Sequence, residues 1–165
     1  MLEAQVKENV MLLDDIKKHL AAYSAANWDD FKAGLATDAV YEETSTQVQA
    51  KGADEVTRMV QRWKRAFPDL AANVVGGFES GDQVVAEVEW EGTHTGPLEG
   101  PFGTMQATNK RGRVKGVLLC KMKDGKISES RHYFDRMALL SQIGAIPSIS
   151  TPQPAAKGEA ASPKH

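Results

Sequence analysis

The chain has 165 residues, enough for one domain with a real core and too few for two catalytic modules. Lys and Arg number 20 against 22 Asp and Glu, and a net charge of −2 lacks the basic footprint that phosphate-backbone binding requires, so nucleic acid is not an expected partner. The single cysteine, Cys120, excludes a disulfide within the chain, no apolar run is long enough to span a bilayer, and the polar N-terminus lacks a signal peptide's apolar segment, so a cytoplasmic location is expected.

From about Glu3 to Ala26, Leu12, Leu13, Ile16, Leu20 and Tyr23 fall on one stripe of a helix, and His19 lies at its edge. Asn27 is placed to cap a short second helix running through Leu35, with Trp28 and Phe31 inward. Thr37-Asp38 then punctuates before a β-rich run from Val40 to Val48. Gly52 precedes a third helix, in which Val56, Met59, Val60, Trp63 and Phe67 repeat at helical spacing and Pro68 enforces the stop.

After Pro68 the period changes from about 3.6 to 2. A strand near Ala71 to Glu79 leads to the turn Ser80-Gly81-Asp82. The next strand sets Val84, Ala86, Val88 and Trp90 against Val85, Glu87, Glu89 and Glu91, giving one apolar and one acidic face. A strand over Arg113 to Lys123, the turn Asp124-Gly125 and a return strand Ile127 to Asp135 make a hairpin. A last helix, Arg136 to Ile143, stops at Gly144, and Pro147 to His165 reads as a disordered tail rich in Pro, Ser, Ala and Lys.

Short turns between the late strands exclude parallel βαβ units, so the fold class is α+β: a cone-shaped fold with a curved mixed or antiparallel sheet packed on N-terminal helices. The mouth of such a cone is a natural small-molecule site, with the Pro97 to Thr108 loop over it. Period-two counting carries Val88 and Trp90 through Gly92 to His94, which should face the cavity. On the final strand Ser128, Ser130, His132 and Phe134 share the face opposite Glu129 and Arg131, so His132 should face inward as well. Two imidazoles in an apolar cavity make workable acid-base machinery. On the early strand Tyr41, Glu43 and Ser45 share one face and Glu42 and Thr44 the other, so one of the two glutamates should face the cavity, where a desolvated carboxylate would suit a base acting on a carbon acid.

The candidate catalytic residues are therefore His94, His132 and Glu43. The candidate substrate-binding residues are His19, Tyr23, Tyr41, Trp63, Trp90, Leu118 and Ser130, although tryptophans placed like Trp28 and Trp63 are more often core than ligand platforms. No metal site is expected, since no compact H-x-x-H spacing occurs, and no nucleotide cofactor, since the glycines from Gly92 to Gly103 lack a P-loop or GxGxxG context. Cys120, inside Val117-Leu118-Leu119-Cys120, reads as a small buried hydrophobe. Val85, Val117, Leu119 and Tyr133 give the opposite sheet face the mixed apolar character used by homodimers.

Phe67-Pro68-Asp69-Leu70, Trp90-Glu91-Gly92-Thr93-His94-Thr95-Gly96, Asp124-Gly125-Lys126-Ile127-Ser128-Glu129 and Tyr133-Phe134-Asp135, in this order of elements, resemble the SnoaL-like polyketide cyclases. These belong to the nuclear transport factor 2-like superfamily, which also holds ketosteroid isomerase, and the likeness covers about residues 8 to 145. The resemblance implies a domain over 1–146, with 147–165 outside it, acting on a small hydrophobic carbonyl or ester compound by general acid-base catalysis without a metal or organic cofactor. The implied reaction is an intramolecular aldol cyclisation or related isomerisation; the alternative is a noncatalytic binding or dimeric scaffold domain of the same fold. The family's last strand usually reads Glu-His-Trp-Asp, its aspartate being the acid-base group. Here the matching residues are Glu129-Ser130-Arg131-His132, which places His132 where that aspartate stands. By the same resemblance Glu43 matches the carboxylate base of ketosteroid isomerase, His19 lies near its tyrosine oxyanion donor, and Asn109 replaces a turn glycine.

Overall fold

The computed structural model describes residues 2–100 and 103–146, so the tail expected from Pro147 lies outside the described residues. Helix α1 spans Leu2–Ser24 and buries Ile16, Leu20 and Tyr23, the central part of the anticipated stripe. Helix α2 spans Trp28–Ala33, opened by Asn27, whose side-chain oxygen accepts from the Asp30 N–H. It stops two residues before the expected end. Leu35 instead begins strand β1, Leu35–Glu43, because it is already paired with Ile127.

Thr37 and Asp38 are the exposed part of an irregularity within β1. The anticipated single run from Val40 to Val48 is two strands. β1 ends at Glu43, Thr44 to Gln47 form a turn with Gln47 at φ 56°, and β2, Val48–Lys51, returns antiparallel. Ser45 therefore lies in the turn rather than on the inner strand face.

Helix α3, Ala53–Ala66, presents Val56, Met59 and Val60 to the core and ends before Pro68 as the sequence requires. The long strands β3 (Ala71–Ser80) and β4 (Gln83–Thr93) follow, then a small hairpin of β5 (Leu98–Gly100) and β6 (Gly103–Met105), then β7 (Arg111–Lys123) and β8 (Lys126–Phe134). The β7–β8 turn has positive φ at both Asp124 and Gly125, the geometry that matches strand twist in a two-residue hairpin. Helix α4, Arg136–Gln142, is capped by the Asp135 carboxylate, which accepts from the Ala138 N–H.

The six-stranded sheet runs β2-β1-β8-β7-β4-β3, and all its pairings are antiparallel except β1 with β8. The fold is the expected α+β architecture: a curved mixed sheet on helices packed against its inner face. Val84, Ala86 and Val88 are fully buried there, and burying each valine contributes about 1.5–3 kcal/mol. On the outer face the acidic row of β4 meets the basic row of β7: Glu87 with Lys115, Glu89 with Arg113 and Glu91 with Arg111. Cys120 is buried on the inner face, and burial pushes its thiol pKa up to about 12, in keeping with a small inert hydrophobe. Among the described residues no helix is long and apolar enough to cross a membrane.

Candidate functional site

The helices and the inner sheet face enclose a cavity of about 80 Å³. Its sheet wall is built by the pleat. Alternate residues of β8, Ser130, His132 and Phe134, face inward, joined by Tyr41 of β1, Trp90 of β4 and Leu118 of β7. Helix α1 supplies His19 and Tyr23, and α3 supplies Trp63. Eight of the expected site residues, His132 among them, thus line one chamber.

Ser128 departs from the counted pattern. A register shift between β7 and β8 places Ile127, not Ser128, on the cavity side, while the Ser128 hydroxyl donates to the Lys121 carbonyl.

His94 does not line the cavity. It lies one residue past the end of β4, fully buried, with its ring against Phe67 at 5.1 Å between centroids. Its Nδ1 accepts from the Thr108 N–H at 3.3 Å and lies 3.1 Å from the Thr108 hydroxyl; its backbone exchanges bonds with Lys110 and Asn109. Period counting places it on the buried side, where it packs on Phe67, and Phe67 rather than His94 lines the chamber. Its geometry is that of a tie holding the loop after β4, and burial lowers its pKa. Asn109, at φ 58°, adopts the left-handed conformation that asparagine tolerates in that turn. The start of the loop packs on the C-terminal end of α3, where the N–H groups of Thr95 and Gly96 donate to Ala66 O, and none of the loop's described residues lines the cavity. Leu139 of α4 closes that side, seated where a Cβ on Gly112 would come within 2.6 Å of its Cδ1.

Glu43 faces inward as expected and is buried, but its carboxylate is screened from the chamber. The Trp63 indole N–H donates to Oε2 at 2.7 Å and the Thr46 hydroxyl to Oε1 at 2.7 Å. Trp63 shows one side to the cavity and holds Glu43 with its nitrogen. The negative charge of Glu43 reaches further: burial first, then Glu43, raises the pKa of both Tyr23 and Tyr41.

The polar centre of the cavity is the pair Tyr41 and His132. The tyrosine hydroxyl lies 3.3 Å from His132 Nδ1. Burial lowers the His132 pKa to about 4, so the imidazole is neutral at pH 7. Its ring packs on Phe134 (4.9 Å between centroids) and Trp90 (5.2 Å). His19, stacked on Phe31 at 4.1 Å, is likewise held neutral by burial, with a pKa of about 4. The Tyr23 hydroxyl is turned away, donating to the Val60 carbonyl at 3.4 Å.

Sequence reasoning did not single out the apolar lining: Phe31, Val56, Val60, Phe67, Leu70 and Leu139. The α3 members were visible as a helical stripe, but nothing in that periodicity separates a residue touching a cavity from one touching the sheet. Among the described residues no three His, Cys, Asp or Glu side chains converge as metal ligands.

Solved structures share this architecture. A candidate SnoaL-like polyketide cyclase of Jannaschia sp. CCS1 superposes with a TM-score of 0.74 at 20% identity, covering 84% of this chain and 95% of its own. TsrD of Streptomyces laurentii gives 0.71 at 20% identity, covering 83% and 97%. An LEH-like epoxide hydrolase of M. tuberculosis gives 0.63 at 18% identity, covering 84% and 96%. At such identities these likenesses speak for the fold alone. No curated protein sequence matches the chain. The sequence pattern of the SnoaL-like polyketide cyclases matches residues 16–143, from the buried Ile16 of α1 to the buried Ile143 after α4, and the chain belongs to that family.

Proposed function

We propose that this domain binds a small, largely hydrocarbon compound bearing a carbonyl group and moves a proton on it, as the first step of an isomerisation or an intramolecular ring closure. The observation that carries the reading is the Tyr41–His132 pair inside a largely apolar chamber. A neutral imidazole whose Nδ1 accepts from Tyr41 presents N–H at Nε2, a donor suited to a carbonyl oxygen that gains charge as an enolate forms.

The base in this reading is Glu43, which takes the proton from the carbon next to the carbonyl once the Trp63 ring turns aside. The proton then returns to another carbon, giving an isomer, or to the alkoxide left when the enolate carbon closes on a second carbonyl. A volume of about 80 Å³ is far below the roughly 300–1,000 Å³ of pockets for drug-sized ligands. The reacting portion is accordingly about one ring, with any larger substituent requiring movement of Leu139 and α4.

One observation favours a second reading, binding without turnover: both Glu43 oxygens are already engaged and neither faces the chamber. Hydrogen–deuterium exchange at the α-carbons of cyclohexanone separates the two. Catalysis predicts exchange well above the buffer rate in the wild type and a loss of about 100-fold or more in Glu43→Gln. Binding without turnover predicts the buffer rate in both, with cyclohexanone still perturbing the cavity resonances.

The domain is further proposed to pair with a second copy through the outer sheet face, where Val75, Phe78, Val117 and Tyr133 are exposed.

A further inference from the structure

Three buried nitrogens of cavity-lining residues have no hydrogen bond among the described residues: His19 Nδ1, which lies against Gly34 outside the chamber lining, and Trp90 Nε1 and His132 Nε2. An indole N–H is only ever a donor. The character of the His132 nitrogen follows from its neighbour. The Tyr41 hydroxyl makes no other hydrogen bond among the described residues, and the assignment that leaves its proton paired has it donate to Nδ1, with the ring proton on Nε2. Trp90 Nε1 and His132 Nε2 are therefore both donors, in a wall whose remaining surface is almost wholly hydrocarbon. Leaving a buried donor unpaired is unfavourable by about 1–3 kcal/mol, and two such donors on rings 5.2 Å apart make a built demand for an acceptor. Gly116 lets the His132 ring lie this close to β7, since a Cβ there would stand 3.1 Å from Nε2.

We infer that Trp90 and His132 together form the seat for the oxygen of the ligand, with the Trp90 indole N–H as a fixed second donor that selects carbonyl, enolate or phenolate oxygen over a hydrocarbon of the same shape. The inference rests on the proposed ligand class and adds the residue that recognises its oxygen. Trp90 is suited to the task because its ring is fixed from two sides, edge-on to Tyr23 at 5.5 Å and tilted against His132. A seat of neutral donors also suits a group that becomes negative during reaction, because it stabilises the charge without a counter-charge already buried in the apo protein.

The experiment compares binding of cyclohexanone and methylcyclohexane to the wild type and to Trp90→Phe, which keeps a ring and removes the N–H. The expected result is that Trp90→Phe weakens cyclohexanone about 5- to 10-fold more than it weakens methylcyclohexane, the effect of one lost hydrogen bond over and above the shared change in packing. Equal weakening of both, or of neither, overturns the seat while leaving the cavity reading intact. Binding of neither compound to the wild type overturns both. In the wild type, independently of any variant, one indole N–H proton resonance must move on adding cyclohexanone and stay in place with methylcyclohexane; an unmoved resonance at saturating ketone overturns the inference.

Discussion

The Tyr41 hydroxyl reaches His132 Nδ1 across the one parallel pairing of the sheet, in which Tyr41 itself stands beside Ser130 and Glu43 beside His132. The contact is diagonal, and it joins the early strand to the last one at the deepest polar point of the cavity. Strands so distant in sequence become neighbours only when β1 joins the edge of the late hairpin, so the pair is a product of topology rather than of a local motif.

That hydrogen bond is worth measuring by a double-mutant cycle. Tyr41→Phe keeps the ring and leaves Nδ1 unpaired, so it should destabilise the fold by about 1–3 kcal/mol in urea denaturation. His132→Leu should lose a comparable amount. The double variant should lose less than the sum, with a coupling of about 0.5–3 kcal/mol; strict additivity means the two groups do not interact.

Acid should unfold this domain through its buried histidines. His19 and His132 have folded-state pKa values of about 4 against an unfolded value near 6.5, so between those limits the unfolded chain binds more protons than the folded one. Stability is therefore fully present above pH 6.5 and falls as pH drops toward 4, by up to about 3 kcal/mol for each histidine. Urea midpoints from pH 7.5 to 4.5 should show the decline, and His132→Leu should flatten it. A slope unchanged in His132→Leu means that His132 is not held neutral.

Trp63 should matter through its nitrogen. Trp63→Phe removes the donor to Glu43 Oε2 and leaves a buried carboxylate oxygen unpaired, a loss of about 1–3 kcal/mol or more. Adding Glu43→Met to Trp63→Phe should restore part of that loss, because replacing both partners by apolar groups removes the unsatisfied atom. If the double variant is less stable than Trp63→Phe alone, the carboxylate is not the strained partner.

The outer sheet face should be where two copies meet. Tyr133→Glu, which places a charge on that surface without touching the cavity, should convert a dimer to a monomer in sedimentation at micromolar concentration. A wild type that sediments as a monomer removes the proposal.

The strand periodicity carried most of the fold, because the inner and outer faces of β4 and β8 differ so sharply in polarity. Val84, Ala86 and Val88 against Glu87, Glu89 and Glu91 leave only one way to turn β4. Where β1 and β8 depart from the counted pattern, a short local irregularity is responsible. The turn at Thr44 to Gln47 carries no glycine or proline to announce it, and the shift beside Ser128 moves one side chain without breaking the hairpin. His94 marks a different limit. Its facing direction was legible, but whether it touches the cavity depends on Phe67, which comes from the other side of the core. The same holds for Glu43, whose partner Trp63 stands 20 residues away on α3. Periodicity reports which face a residue occupies and not which side chain stands in front of it.

The most direct measurement is nitrogen-15 NMR of the His132 imidazole at pH 7, without ligand and with cyclohexanone. A neutral ring with its proton on Nε2, and an Nε2 signal that moves when the ketone binds, are the predicted result. A ring protonated on both nitrogens, a proton on Nδ1, or an Nε2 signal unmoved at saturation would contradict the assignment of His132 as the group that receives the carbonyl oxygen.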